Sequence, residues 1–187
     1  MQFARAMSPG VFVLGCSFYA KPVTAGPGRE SIIMNTDVLL WAIVLLPALA
    51  ALSWIDLRTM RLPDVLTLPL IGAGIVQFWY FTGSVWAAII GALAGYLFFF
   101  AVEKGYRALR GSDGLGRGDA KLLAAGGAWC GWIGLPWIVL IASSSGLLFA
   151  GALMLAGRKP SGLMPFGPFL AIGIALVWLA QLRTFLL

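Results

Sequence analysis

From Val38 onward the chain is a succession of apolar runs, each about as long as a bilayer is thick, separated by short polar stretches. The runs extend from Val38 to Ile55, Pro63 to Phe81, Val85 to Val102, Ala120 to Leu135, Trp137 to Gly157 and Phe166 to Leu187. A helix rises about 1.5 Å per residue and closes its own backbone hydrogen bonds, so roughly 17–25 apolar residues span the hydrocarbon core. Six transmembrane helices are expected, in an all-α polytopic membrane bundle. The fourth run is the shortest and carries Lys121 one turn inside its start. The composition agrees, since 60% of residues are hydrophobic and 11% charged, against about 25% charged in an ordinary soluble domain.

Ahead of these runs, residues 1–36 mix basic, Pro/Gly and short apolar stretches. They read as an N-terminal tail before a membrane domain over 37–187, or as sequence upstream of a true start at Met34. Val13-Leu14-Gly15-Cys16 faintly resembles a lipoprotein cleavage box, but the stretch before it makes a poor signal core. Within the runs glycines recur about four apart, as at Gly91 and Gly95 or Gly127 and Gly131. Small residues at that spacing let helices approach closely where lipid removes the hydrophobic drive between them.

A net charge of +6 invites a nucleic-acid reading, but that needs a basic patch on an exposed polar domain. Here the charge reports orientation. The loops after the first, third and fifth runs hold nine of the thirteen Lys and Arg residues, and those after the second and fourth hold none. Basic loops stay on the cytoplasmic side, so these three are expected there and both termini outside. The stretch from Lys104 to Lys121 would lie against anionic lipid.

Chemistry is restricted by what is missing. With no histidine in the chain, a Ser-His-Asp triad, a Cys-His dyad and any His-ligated metal are excluded. Cys16 and Cys130 are far apart and form neither a Cys-x-x-Cys pair nor a disulfide framework; Cys130, between Trp129 and Trp132, reads as packing. Seven acids remain. Glu30 and Asp37 belong to the tail and its junction, Glu103 sits beside Lys104, and Asp113 lies in a Gly-rich basic loop, so all four have solvated readings.

Asp56 ends the first apolar run and Asp119 opens the fourth. By the loop count both lie at the cytoplasmic edge, where the two carboxylates can meet. Carboxyl groups at a membrane edge are costly and are functional candidates by default. Two aspartates sharing a proton form an acid–base pair, one activating water while the other protonates the carbonyl oxygen or leaving amine. Taken singly, either aspartate also reads as an interfacial cap or a partner for Arg58 or Lys121. Gly116 and Gly118 free the backbone to bring Asp119 close to an extended substrate chain.

Three separated stretches then resemble the type IV prepilin peptidase family of membrane aspartic proteases. Ile55-Asp56-Leu57-Arg58 with Leu62-Pro63-Asp64 is similar to the family's first aspartate motif. Gly116-Arg117-Gly118-Asp119-Ala120-Lys121-Leu122-Leu123, followed by Gly127-Ala128-Trp129 and Gly131, looks like its Gly-x-Gly-Asp motif. Pro165-Phe166-Gly167-Pro168-Phe169-Leu170-Ala171 resembles the start of its last helix. The likeness covers Leu39 to the C-terminus.

It implies that Asp56 and Asp119 are the catalytic dyad of an endopeptidase that removes leader peptides from prepilin-like or pseudopilin substrates. It also implies an inner-membrane location, with the lipid bilayer and a substrate helix as partners. The larger bacterial members carry a zinc-binding Cys-x-x-Cys insertion linked to N-methylation; those cysteines are absent, so neither zinc, another cofactor nor methyl transfer is expected.

The neighbouring residues have less specific readings. Lys121 attracts an acidic substrate residue or snorkels to the interface. Asp64 caps the second helix, in preference to a part in catalysis. Pro165, Phe166, Gly167 and Pro168 leave free backbone that either pairs with substrate or forms a rigid helix start. Two other readings remain open: a proton-coupled transporter in which the aspartates relay protons, and an assembly factor that binds pilin-like helices without cutting them.

Overall fold

The computed structural model describes residues 30–60, 62–110, 117–157 and 165–186. They form α1 (Glu30–Thr59), α2 (Asp64–Thr82), α3 (Trp86–Arg110), α4 (Arg117–Leu155) and α5 (Gly167–Leu186). No strand occurs among the described residues. Residues 1–29, including the cleavage-box resemblance at Cys16, lie outside them, as does Gly116. α1 begins at Glu30, ahead of the apolar run that starts at Val38.

Four of the helices are long and apolar enough to cross a membrane, and α5 is a shorter apolar helix. α4 is not one rod. At 39 residues a straight helix would run about 58 Å, nearly twice the hydrocarbon thickness. Gly131, with φ 69° and ψ 175°, breaks it. A Cβ on Gly126 would lie 3.1 Å from Cδ1 of Ile138, two residues that a straight helix would hold about 18 Å apart. The chain therefore folds back at Gly131, and limb 132–155 lies beside limb 117–130.

Six apolar helical segments result, as the sequence predicts. The break falls at Gly131, however, rather than between the runs that end at Leu135 and begin at Trp137. Pro136 lies inside the second limb. A proline in a membrane helix is tolerated when packed neighbours satisfy the freed backbone group, whereas Gly131 sits in a conformation that side chains forbid.

The shortest apolar run is the centre of the bundle. Leu122 through Gly131 are all buried, and the first limb of α4 is enclosed by α2, α3, α5 and its own second limb. Its Ala-Ala-Gly-Gly-Ala sequence explains the enclosure, because only a thin helix can be approached from every side. Gly91 and Gly127 face each other across the α3–α4 contact with backbone against backbone. Trp129 fills the remaining space, edge-on to Trp41 at 6.0 Å and Trp178 at 6.1 Å between centroids, and its Nε1 donates to the Leu70 carbonyl at 2.8 Å.

Large apolar side chains point outward instead, among them Leu39, Ile43, Val65, Trp86, Leu147 and Leu155. Small residues at the close helix contacts and large apolar side chains on the outer surface are the arrangement of helices solvated by lipid.

Candidate active site

The site lies where α1 ends and α4 and α5 begin. α1 terminates one turn past Asp56, where Met60 adopts φ 51° and its N–H donates to the Asp56 carbonyl at 2.8 Å. That cap and the turn to Pro63, the N-cap of α2, leave Asp56 in the last turn of α1, pointing into the bundle. Its exposure is 5%. Asp119 stands in the first turn of α4 and is partly buried. Gly118, the neighbour of Asp119, packs against Leu62 just past the end of α1, which puts the start of α4 beside the end of α1 that carries Asp56. Residues 63 positions apart in sequence thus share one end of the bundle, as the alternation of runs predicts.

A buried carboxylate needs a donor, and Asp56 takes one from α5. The backbone N–H of Gly167 donates to Asp56 Oδ2 at 3.0 Å. The approach is close: a Cβ on Gly167 would stand 2.5 Å from that oxygen and 2.9 Å from Cγ. Gly167 is the first residue of α5, so the helix's positive end also faces the carboxylate. The third motif stretch is therefore joined to the first. From sequence, Pro165 to Pro168 offer free backbone for substrate or a stiff helix start; the contact of Gly167 with Asp56 is an addition of the structure. Its one signal was a glycine immediately before a proline at a helix start.

Phe166 is half-buried and packs against Phe99 of α3 and Phe169, while Phe169 packs against Phe149 of α4. These rings fix the beginning of α5 between α3 and the second limb of α4. Gly118 is also closely packed, since an added Cβ would lie 2.8 Å from Cδ1 of Leu62. Lys121 forms an ion pair with Asp64. The pairing joins the first turns of α2 and α4, with Lys121 neither snorkelling alone nor facing Asp119, and no side-chain cap bond forms at the start of α2. Glu103, which reads as solvated from its sequence, is buried and bonded to Arg107 at 3.0 Å.

An open groove beside the site is lined by Ile55 and Thr59 of α1 and by Leu62, Pro63 and Asp64. Among the described residues no group of three or more His, Cys, Asp or Glu side chains is gathered as a metal site would require.

A helical bundle with four helices long and apolar enough to cross a membrane, and an aspartate at each of two helix ends on one side, defines a multi-pass membrane protein. A model of the type IV leader peptidase family matches residues 43–151, and the chain belongs to that family. Three similar curated proteins bear the name prepilin leader peptidase/N-methyltransferase. The one from Burkholderia pseudomallei (strain 1026b) is 50% identical over 128 residues, covering 67% of this chain and 41% of that protein. The one from Aeromonas salmonicida (strain A449) is 46% identical over 142 residues, covering 73% and 48%. That from Escherichia coli (strain K12) is 47% identical over 123 residues, covering 65% and 55%. The chain thus spans about half the length of these relatives. No solved structure matches it.

Proposed function

We propose that this protein is a leader peptidase that cuts prepilin-like or pseudopilin substrates at the cytoplasmic face of the inner membrane, with Asp56 and Asp119 as its catalytic pair. The observation that supports the reading is the placement of these two aspartates at helix ends on the same end of the bundle, Asp56 in the last turn of α1 and Asp119 in the first turn of α4, in a chain of the type IV leader peptidase family. The names of its relatives support the substrate class, and the basic loops support the cytoplasmic side.

In the proposed reaction the pair holds one shared proton, because like charges a few ångströms apart do not both ionise. The ionised aspartate takes a proton from water as the oxygen attacks the scissile carbonyl carbon. The protonated one gives its proton to the carbonyl oxygen, forming a neutral gem-diol. Return of a proton to the amide nitrogen then breaks the C–N bond, releasing leader acid and mature amine. The open groove lined by Ile55, Thr59, Leu62, Pro63 and Asp64, at the end of α1 that carries Asp56, is the proposed seat of the extended substrate peptide.

The test is co-expression with a prepilin-like protein from the same genome and intact-mass measurement of the product. The expected result is a single cut after the leader, lost in both Asp56→Asn and Asp119→Asn, with each variant inserted and folded as the parent is. Retained processing in either variant would sink the pair. The same spectra show whether a methyl group is added to the new N-terminus, which this reading does not expect.

A further inference from the structure

The start of α5 offers its neighbours a very restricted set of donors. The first N–H groups of a helix have no partner within it. Here Pro168 has no N–H at all, and the N–H groups of Phe169 and Leu170 donate to the Phe166 carbonyl at 3.1 and 3.2 Å. The N–H of Gly167 remains, and it goes to Oδ2 of Asp56. The rings of Phe99, Phe149, Phe166 and Phe169 hold that first turn in place. With Oδ2 engaged, the carboxylate cannot rotate freely about Cβ–Cγ, and Oδ1 is left as the oxygen for other partners.

We infer that Gly167 is a positioning residue for the proposed cleavage: its backbone N–H fixes Asp56 so that Oδ1 is the oxygen that handles the proton of the attacking water. The inference rests on the proposed role of Asp56 and assigns to the Gly167–Pro168 step a task other than substrate pairing. Glycine is required because a side chain would occupy the carboxylate's own space. Proline at the next position removes a second donor that would compete for the same oxygens.

The test separates the N–H from the volume of the residue. Replacing the Gly167 amide by an ester, with glycolic acid at that position, deletes the donor and adds no atoms. A hydrogen bond to a charged group contributes about 1.5–3 kcal/mol, which corresponds to roughly a ten- to hundredfold fall. Expected is a loss of that order in kcat on a prepilin-like substrate, with KM within about twofold, because the substrate's own contacts are untouched. Unchanged kcat, or a loss carried wholly by KM, would overturn the inference.

An independent reading comes from the amide proton of Gly167 in labelled protein in micelles. It should resonate downfield and shift upfield in Asp56→Ala; an unmoved signal would also overturn the inference, whatever the ester variant's stability. The parent, Asp56→Asn and Asp119→Asn are assayed alongside. If those two still cleave, the catalytic pair itself is wrong and the inference falls with it. If they are inactive while the ester variant is fully active, only the role of Gly167 fails.

Discussion

Gly91→Ala measures how far the bundle depends on bare backbone contact. The added Cβ would stand 2.3 Å from the Gly127 carbonyl oxygen and 2.8 Å from both the Gly131 carbonyl carbon and the Trp132 nitrogen. Carbon and oxygen in comfortable contact sit about 3.3–3.6 Å apart, so α3 and the first limb of α4 must separate by about 1 Å. No side chain can rotate aside, because every one of those atoms is backbone. Overpacking costs typically 1–3 kcal/mol, and a contact with nothing flexible in it belongs at about 3. Against this stands about 1 kcal/mol gained by replacing a helical glycine with alanine, leaving a net loss of about 2 kcal/mol.

Gly72 supplies the control, since its Cβ would meet nothing within 4 Å and only the gain of up to about 1 kcal/mol applies. Unfolding in mixed micelles should therefore separate the two alanine variants by about 3 kcal/mol. Gly127→Ala, whose Cβ would lie 2.2 Å from the Gly91 oxygen, should resemble Gly91→Ala. The double variant should cost clearly less than the sum, because the first methyl has already opened the gap that the second needs. Gly91→Ala no less stable than Gly72→Ala, or strict additivity of the pair, would refute the reasoning.

Gly131→Ala should lower stability in the same assay by about 2 kcal/mol or more, since φ 69° with ψ 175° is reserved for glycine and the Phe78 ring would stand 3.2 Å from the new carbon. A neutral result would mean that the fold-back does not depend on that conformation. Trp129→Phe removes the 2.8 Å bond to the Leu70 carbonyl and disturbs two edge-on contacts. It should cost roughly 2 kcal/mol; a loss within a few tenths would show that the indole N–H contributes nothing to joining α2 and α4.

That the chain is a six-segment helical membrane protein, with Asp56 and Asp119 at the same end of it, is legible in the order of its residues. Both follow from counting: apolar length sets the spans, and alternation sets which ends share a side. These quantities are local and survive any detail of packing. Which residue turns the fourth segment back emerges from the packing instead. The apolar runs divide between Leu135 and Trp137, yet Gly131 does the turning, in a backbone conformation reserved for glycine, while Pro136 stays inside the second limb. Likewise the shortest apolar run became the most enclosed helix, since small residues weaken the hydropathy signal while permitting the closest packing. The partners of charged groups were hidden for a related reason. Asp64 with Lys121, and Asp56 with Gly167, are joined across 57 and 111 positions of sequence. Such pairs depend on where helix ends land in three dimensions, and that no run of residues records.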